Sequence, residues 1–328
     1  MKVAKIVIAL IIALLFVELG ISQVSLAAWM ETPIQTTSIS FDQTGVLEGA
    51  ETLARTEGEA EIPKADAPDA TYSDKHRGFG EGTALLAAST DAEVLIAILD
   101  TGIDEKHEDL AGKVVASVNF TESQTTSDAN GHGTHVAGII AAITDNSIGV
   151  AGIAPNARLL NVKVVDDNGV VWSSTVARGI IWAVDNGAEV INMSLVIPTS
   201  SPALEQAIDY AWSKGVVLVA SVGNNIKSIP VYPAYYPEVI AVAATDVGGN
   251  LWSKSNYGDW VDVYAPGVDI YSTLPGNSYG YQSGTSMAAA YVSAVAALAL
   301  TTETDVNGDG QVNDEVATLL KTLLALPR

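Results

Sequence analysis

Apolar-rich runs and helical patterns alternate along most of this chain. Runs typical of strands buried on both faces span residues 94–99, 159–165, 190–195, 216–220 and 239–243. Apolar residues at helical spacing lie between them, at 135–143, 176–184 and 204–212. This alternation predicts an α/β fold in which helices cover both faces of a mostly parallel central sheet, giving three layers.

Chemically reactive side chains stand at the ends of these elements. Asp100 follows the first strand, Asn224 follows the strand at 216–220, His132 precedes the first helix, and Ser286 opens a late apolar helix. In parallel sheets, sites form beyond the carboxyl ends of the strands. A hydroxyl, an imidazole base, a carboxylate that orients it and donors for an oxyanion are the groups that nucleophilic acyl transfer needs.

The two neighbouring histidines allow a second interpretation. His132 and His135 stand three residues apart at a helix start, which suits a metal pair. No third ligand stands at a suitable spacing, so the role of His132 as a base is favoured.

The N-terminal residues carry a targeting pattern. Lys2 and Lys5 precede an apolar run at 6–17, and the small residues 25–27 suit a cleavage site. We predict a signal peptide at 1–28, secretion, and no stable membrane span in the mature form. The alternative is an uncleaved membrane anchor, although the run falls short of the roughly twenty residues that span a bilayer.

Charge and cysteine content exclude several classes of protein. The net charge of −22 makes nucleic acid an unfavourable partner, because phosphate backbones repel an acidic surface. The absence of cysteine excludes disulfides, thiolate metal sites and a cysteine nucleophile. Acidic residues concentrate at 29–68, which we interpret as a linker or short pro-segment, the alternative being an ordered strap. We expect a monomer.

Three motifs resemble those of the subtilisin-like serine proteases. They are DTGID at Asp100, NGHGTHVAG around His132 and SGTSMA around Ser286, in the chain order of that family. The stretches HEDLAGKVV, NSIGVAGIAP and YPAYYPEVIAVAATD are similar to the thermitase-like branch. The resemblance covers 69–300 and implies a subtilisin-like three-layer protease domain there, followed at 301–328 by a C-terminal helix with an EF-hand-like loop.

The resemblance implies a secreted endopeptidase acting on protein or peptide substrates, with Ser286 as nucleophile, His132 as base, Asp100 as its carboxylate and Asn224 as oxyanion donor. His135 matches a structural histidine. The implied substrate-binding residues are Ser194, Leu195 and Val196 on an edge strand, and Ala220, Ser221, Val222 and Gly223 on one wall of the P1 pocket. Val231 is placed near the pocket base, where it would disfavour large aromatic P1 residues.

Two places depart from the family pattern. Val196 and Ile197 stand where two glycines are usual, and Ala290 and Tyr291 stand where Pro-His is usual. These departures support an alternative, a catalytically weak, calcium-dependent binding module on the same fold. Ester hydrolysis by the same machinery is a further alternative.

Two stretches suggest structural Ca²⁺. By resemblance, Asp109 and Asn146 would supply side-chain ligands and Ile143, Ile148 and Val150 carbonyls, with Asp69 completing the set; the alternative is a turn held by side-chain hydrogen bonds. A D-x-N-x-D-G motif gives a second candidate, with ligands Asp305, Asn307, Asp309 and Gln311. Its twelfth position is Val316 rather than a carboxylate, so a polar loop joining two helices is the alternative.

Overall fold

The computed structural model describes residues 51–52, 93–301 and 309–324. Its centre is a seven-stranded sheet of order β3-β4-β2-β6-β7-β8-β9, in which every neighbouring pair is parallel. The strands are β2 (Leu95–Asp100), β3 (Val114–Asn119), β4 (Arg158–Lys163), β6 (Val190–Met193), β7 (Val217–Ser221), β8 (Val239–Thr245) and β9 (Val263–Pro266).

Helices cover both faces of this sheet. The α-helices of the described residues are α1 (His132–Ala141), α2 (Ser173–Asp185), α3 (Pro202–Ser213), α4 (Thr285–Leu300) and α5 (Asn313–Leu323). Alternate residues of β2 divide between two cores: Ile96 and Ile98 pack with α1, α4 and α5, while Ala97 and Leu99 pack with α2 and α3. The predicted three-layer α/β class is confirmed.

The first helix begins earlier than its apolar pattern predicts. That pattern starts at His135, but α1 starts at His132 because the polar turn before it is held by side-chain hydrogen bonds described below. The shift places His132 at the helix N-terminus, beside the carboxyl end of β2. Strand β3 was not predicted, because it lies at the sheet edge and alternates exposed with buried residues.

Helix α4 runs through the centre of one layer. Almost all of its residues are buried, which its alanine-rich sequence allows because small side chains let the helix approach the sheet closely. It packs against α1 and against β6, β7 and β8. Its N-terminus, with Ser286 as second residue, therefore lies near the carboxyl ends of the central strands.

Two small antiparallel pairs accompany the main sheet. Strands β10 (Ile270–Leu274) and β11 (Ser278–Gln282) form a hairpin that packs on α1. Strand β1 (Glu51–Thr52) pairs with β5 (Val170–Val171). The predicted signal peptide at 1–28 lies outside the described residues, as does the acidic segment at 29–68 apart from β1.

The last helix belongs to the same domain core. Val316, Ala317 and Leu320 of α5 are buried against α4 and the sheet. The N–H of Tyr264 donates to the carbonyl of Leu324 at 2.8 Å, and Lys321 pairs with Asp262 at 3.0 Å. Over the described part of the chain, no helix combines the length and apolarity needed to cross a membrane.

Candidate active site

The order of the central strands brings the predicted site residues to one edge of the sheet. Strands β2, β6 and β7 are neighbours and parallel, so their carboxyl ends lie side by side. Asp100 is the last residue of β2, Ser194 follows β6, and Asn224 follows β7 shortly after its last residue. Three neighbouring strand ends thus each present one polar group.

Buried Asp100 pairs with half-buried His132. His132 Nδ1 lies 2.7 Å from Asp100 Oδ1, and Asp100 is only 1% exposed. The N–H of Thr101 donates to the same carboxylate oxygen at 2.7 Å. Because the carboxylate accepts from Nδ1–H, Nε2 is the ring nitrogen left to exchange a proton.

Electrostatics around His132 favour its protonated form. Burial lowers its pKa, but the charge of Asp100, the hydrogen bond that His132 donates to that carboxylate and the charge of Asp128 together outweigh burial. The pKa of His132 is therefore raised above its usual value. The charged groups that act on it are these two carboxylates.

A second buried carboxylate organises the turn before α1. Asp128 Oδ1 accepts from the Thr101 hydroxyl at 2.9 Å and from the N–H groups of Asn130 and Gly131 at 3.0 and 2.8 Å. Its Oδ2 accepts from the N–H and hydroxyl of Thr134 at 2.8 and 2.7 Å. These bonds tie the end of β2 to the start of α1, which fixes His132 relative to Asp100.

Close backbone approach and a buried lysine complete this connection. A Cβ on Gly133 would lie 2.1 Å from the carbonyl oxygen of Gly102, so only glycine fits. The N–H of Gly133 donates to the Thr101 hydroxyl at 3.0 Å. Lys163, fully buried and paired with Asp167 at 2.8 Å, donates its ammonium to the carbonyl of Thr101.

Asn224 is oriented by the residue that precedes Ser286. Its Oδ1 accepts from the N–H and hydroxyl of Thr285, both at 2.9 Å. The Thr285 hydroxyl in turn accepts from the N–H of Gly223 at 3.0 Å. The amide NH₂ of Asn224 therefore faces the opposite way, where its nitrogen lies 3.2 Å from the position that a Cβ would take on Gly284. That NH₂ group is free to serve an oxyanion beside the α4 N-terminus.

A chain of buried hydrogen bonds supports Ser286 from below. The Ser286 hydroxyl donates to the carbonyl of Ser194 at 3.2 Å, and the Ser194 hydroxyl donates to the carbonyl of Ser286 at 2.9 Å. Asn192 donates to the Ser194 hydroxyl at 3.0 Å and accepts at 2.9 Å from Ser293, about two helical turns after Ser286 on α4. This series of hydrogen bonds anchors the first turns of α4 to β6.

His135 has a structural environment rather than that of a metal ligand. Its Nε2 lies 3.0 Å from the carbonyl of Ile270 and 3.1 Å from that of Gly280, so this nitrogen carries the proton and joins α1 to the hairpin. Burial lowers its pKa to about 4. Among the described residues, no cluster of three or more His, Cys, Asp or Glu side chains forms a metal site.

The residues implied as substrate-binding lie on the two segments that flank Ser286. Ser194, Leu195 and Val196 continue β6, while Ala220 and Ser221 end β7 and Val222 and Gly223 follow it. Leu195, Ala220 and Val222 are buried in the core below, whereas Val196 is half-buried.

The described residues of the first calcium candidate also lie together, whereas Asp69 lies outside the described residues. Fully buried Asp109 accepts from the amide of Asn146 at 2.5 Å, from the N–H of Val150 at 2.8 Å and from the hydroxyl of Tyr279 at 3.2 Å. The N–H of Ile148 donates to Asn146 at 3.1 Å, and that of Ile143 donates to the Asp109 carbonyl at 2.9 Å. These contacts match the alternative of a hydrogen-bonded turn; they do not test Ca²⁺ binding.

The second calcium candidate is described only in part. Asp305 and Asn307 lie outside the described residues. Asp309 accepts from the N–H of Gln311 at 2.8 Å, and the Gln311 side chain donates to the carbonyl of Ser213 at 3.0 Å. Gln311 therefore contacts the end of α3, and binding of Ca²⁺ in this loop stays a prediction.

Several supporting residues escaped the sequence argument. Asp128, Thr285, Asn192 and Ser293 carry no motif that reasoning about strand ends would select. A signal was present for Asp128, because it precedes an Asn-Gly-His turn and an acidic residue just before a helix satisfies N-terminal amides.

This geometry defines a class of protein: an α/β fold with a carboxylate and an amide at parallel-strand ends and an imidazole and a hydroxyl at helix starts beside them, the groups of nucleophilic acyl transfer. The sequence model of the subtilase family matches residues 91–324, so the chain belongs to the subtilase family. The subtilisin-like resemblance is confirmed.

Curated relatives agree with the thermitase-like branch. The chain is 53% identical over 204 residues to the thermophilic serine proteinase of Bacillus sp. (strain AK1), covering 62% of this chain and 51% of that protein. Thermitase of Thermoactinomyces vulgaris is 52% identical over 204 residues, covering 62% of this chain and 73% of that protein. Subtilisin DY of Bacillus licheniformis is 47% identical over 214 residues, covering 64% and 77% respectively. The match thus spans about half of the first relative's length.

The charge of Asp128 generates a pH prediction. A general base must be neutral, so kcat/KM should rise as pH passes upward through the raised pKa of His132. Asp128→Asn removes one of the charges that raise this pKa, so the acidic limb of the kcat/KM profile should move to lower pH. The maximal kcat/KM should also fall, because an amide has only one acceptor oxygen and cannot accept from all the groups that donate to Asp128.

Asp185→Asn provides the matched control, since Asp185 is exposed and bonded to Tyr210 on α3, away from the site. Its profile should coincide with that of the wild type. An Asp128→Asn limb that stays in place, or moves to higher pH, contradicts the electrostatic role given to Asp128.

Proposed function

We propose that this chain is a serine endopeptidase that hydrolyses peptide bonds through an acyl-enzyme on Ser286. The observation that carries the proposal is the arrangement of β2, β6 and β7, whose adjacent ends hold Asp100, the anchor of Ser286, and Asn224. Family membership and relatives named as proteinases support it.

The proposed mechanism uses each group once in each half-reaction. Ser286 Oγ attacks the scissile carbonyl while His132 Nε2 takes its proton, and Asp100 holds Nδ1–H and stabilises the imidazolium. The tetrahedral oxyanion accepts from the NH₂ of Asn224 and from the N–H of Ser286 at the α4 N-terminus. His132 then protonates the leaving amine, and water hydrolyses the acyl-enzyme by the same steps reversed.

The departures from the family pattern are compatible with catalysis. Ala290 is fully buried within α4, and the helix still begins at Thr285 with Ser286 anchored to β6. Ile197 is buried and hydrogen-bonded to Tyr232, away from Ser286. Neither residue blocks the nucleophile, which favours an enzyme over a binding module. Secretion from a cleaved signal peptide remains a prediction for residues outside the described part of the chain.

A structural Ca²⁺ ion at Asp109 is a second part of the proposal. Asp109 is a fully buried carboxylate whose described partners are the neutral donors Asn146, Val150 and Tyr279. A buried charge is costly unless a counter-charge compensates it, and carboxylate, amide and carbonyl oxygens are the ligands that Ca²⁺ prefers. The Asp109 and Asn146 side chains would hold the ion, with the Asn146 amide turned to present its oxygen.

If Ser286 forms an acyl-enzyme, it should also react covalently with a serine-directed probe. A fluorophosphonate should label wild-type protein on Ser286, and Ser286→Ala should abolish labelling and lower kcat by about 10⁶-fold. Ser213→Ala is a matched control, because this exposed serine at the end of α3 bonds to the carbonyl of Tyr210, away from Ser286, and its loss should leave the reactive hydroxyl in place. Folded wild-type protein that binds peptide but does not label would instead favour the binding module.

Calcium binding predicts a rise in stability. In the Ser286→Ala background, which avoids self-digestion, Ca²⁺ at a hundred times its Kd should stabilise the fold by about 2.7 kcal/mol and raise Tm. Asp109→Asn should remove this response, and Asp209→Asn, an exposed residue of α3, should keep it. A Tm that is the same with Ca²⁺ and with a chelator contradicts the site.

A further inference from the structure

The two chain segments that the family resemblance implies as substrate-binding both lie beside Ser286. In the parallel register of β6 and β7, Met193 lies opposite Ala220. Continuing both strands by three residues brings Val196 opposite Gly223. Both segments are tied to the start of α4, because Ser194 bonds to Ser286 at 2.9 Å and Gly223 bonds to Thr285 at 3.0 Å.

The side chain of Val196 crosses between these segments. Its Cγ1 lies 3.3 Å from the position that a Cβ would occupy on Gly223, and the amide nitrogen of buried Asn256 lies 2.9 Å from the same position, so these two side chains together fill the space that the glycine leaves open. Carbon atoms in contact are normally about 3.5–4.0 Å apart, so only the hydrogen of a glycine fits at this position beside the Val196 methyl group. Gly223 itself has φ +93°, a conformation in which a side chain would be strained.

The neighbouring branched residues do not share this position. Ile197 is 2% exposed, and its main chain pairs with Tyr232 through bonds of 2.6 and 2.8 Å. Leu195 is also 2% exposed, and its carbonyl accepts from the Ser221 hydroxyl at 3.5 Å. These contacts hold the segment on both sides of Val196, so the main chain at Val196 cannot move aside without breaking them.

We propose that Val196 is the specificity-determining residue of the acyl side, restricting the residue whose carbonyl is attacked to glycine, alanine or a similarly small side chain. The inference rests on the proposed function, because it concerns how the same site selects its substrate. It assigns the expected restriction on the size of P1 to Val196, at the pocket entrance, instead of to Val231, at the pocket base.

The test compares two fluorogenic peptides that differ only at P1, one with alanine and one with phenylalanine. Wild-type protein should cleave the alanine peptide with the higher kcat/KM. Val196→Gly should raise the phenylalanine-to-alanine ratio of kcat/KM by about 10-fold or more, the range expected for changes of one or a few carbon atoms in a pocket. Val196→Ala should raise it by less.

Ile197→Val is the matched control, because it shortens a branched residue next to Val196 whose side chain is buried in the core and whose main chain pairs with Tyr232. It should leave the ratio within about threefold of the wild-type ratio, as expected for a position outside the pocket. The proposal is overturned if wild-type protein cleaves the phenylalanine peptide faster, or if both Val196 variants keep the wild-type ratio.

A small ethyl fluorophosphonate separates failure of this inference from failure of the proposed function. If wild-type protein labels on Ser286 but prefers phenylalanine, the inference is wrong and the endopeptidase proposal stands. If folded wild-type protein neither labels nor cleaves either peptide, the proposed function is wrong and the inference falls with it. Should Val196→Gly fail to fold, the ratio for Val196→Ala alone decides.

Discussion

The hydrogen bond between Asp100 and His132, 2.7 Å long, is the contact on which the rest of the site depends. It forms because one partner ends a parallel strand and the other begins the next helix. Asp128 holds that junction by accepting from donors on both sides of it, Thr101 and Thr134 among them. A buried carboxylate is stable only when its oxygens are satisfied, so the cost of burying Asp128 enforces the geometry of the pair.

Strands β6 and β7 position the groups on the other side of Ser286. Strand β6 leads to Ser194, which anchors Ser286, and β7 leads to Asn224, which is oriented by Thr285. Because these strands stay in register to their ends, Val196 and Gly223 are brought face to face. In the proposed mechanism, positioning of the nucleophile and selection of the substrate therefore both depend on one feature, the parallel pairing of β6 with β7.

The sequence predicts the parallel sheet and the reactive side chains because buried parallel strands have a strong apolar signature, and Asp100, His132 and Ser286 stand at their ends or at helix starts. It does not predict the supporting hydrogen bonds, since Thr285 and Ser293 become partners of Asn224 and Asn192 only through tertiary packing. The departures at Val196 and Ile197 were visible in the sequence. Only the structure distinguishes them, because the Val196 side chain lies against Gly223 whereas Ile197 pairs with Tyr232.

The role of the Asp100 carboxylate is tested most directly by the rate at which a fluorophosphonate labels Ser286 in Asp100→Asn. An amide at this position keeps the size of the side chain but favours the wrong tautomer of His132, so the rate constant should fall by about 10⁴-fold with the fold intact. A rate constant within tenfold of the wild-type value would show that Ser286 does not depend on the Asp100–His132 pair, and would contradict the account.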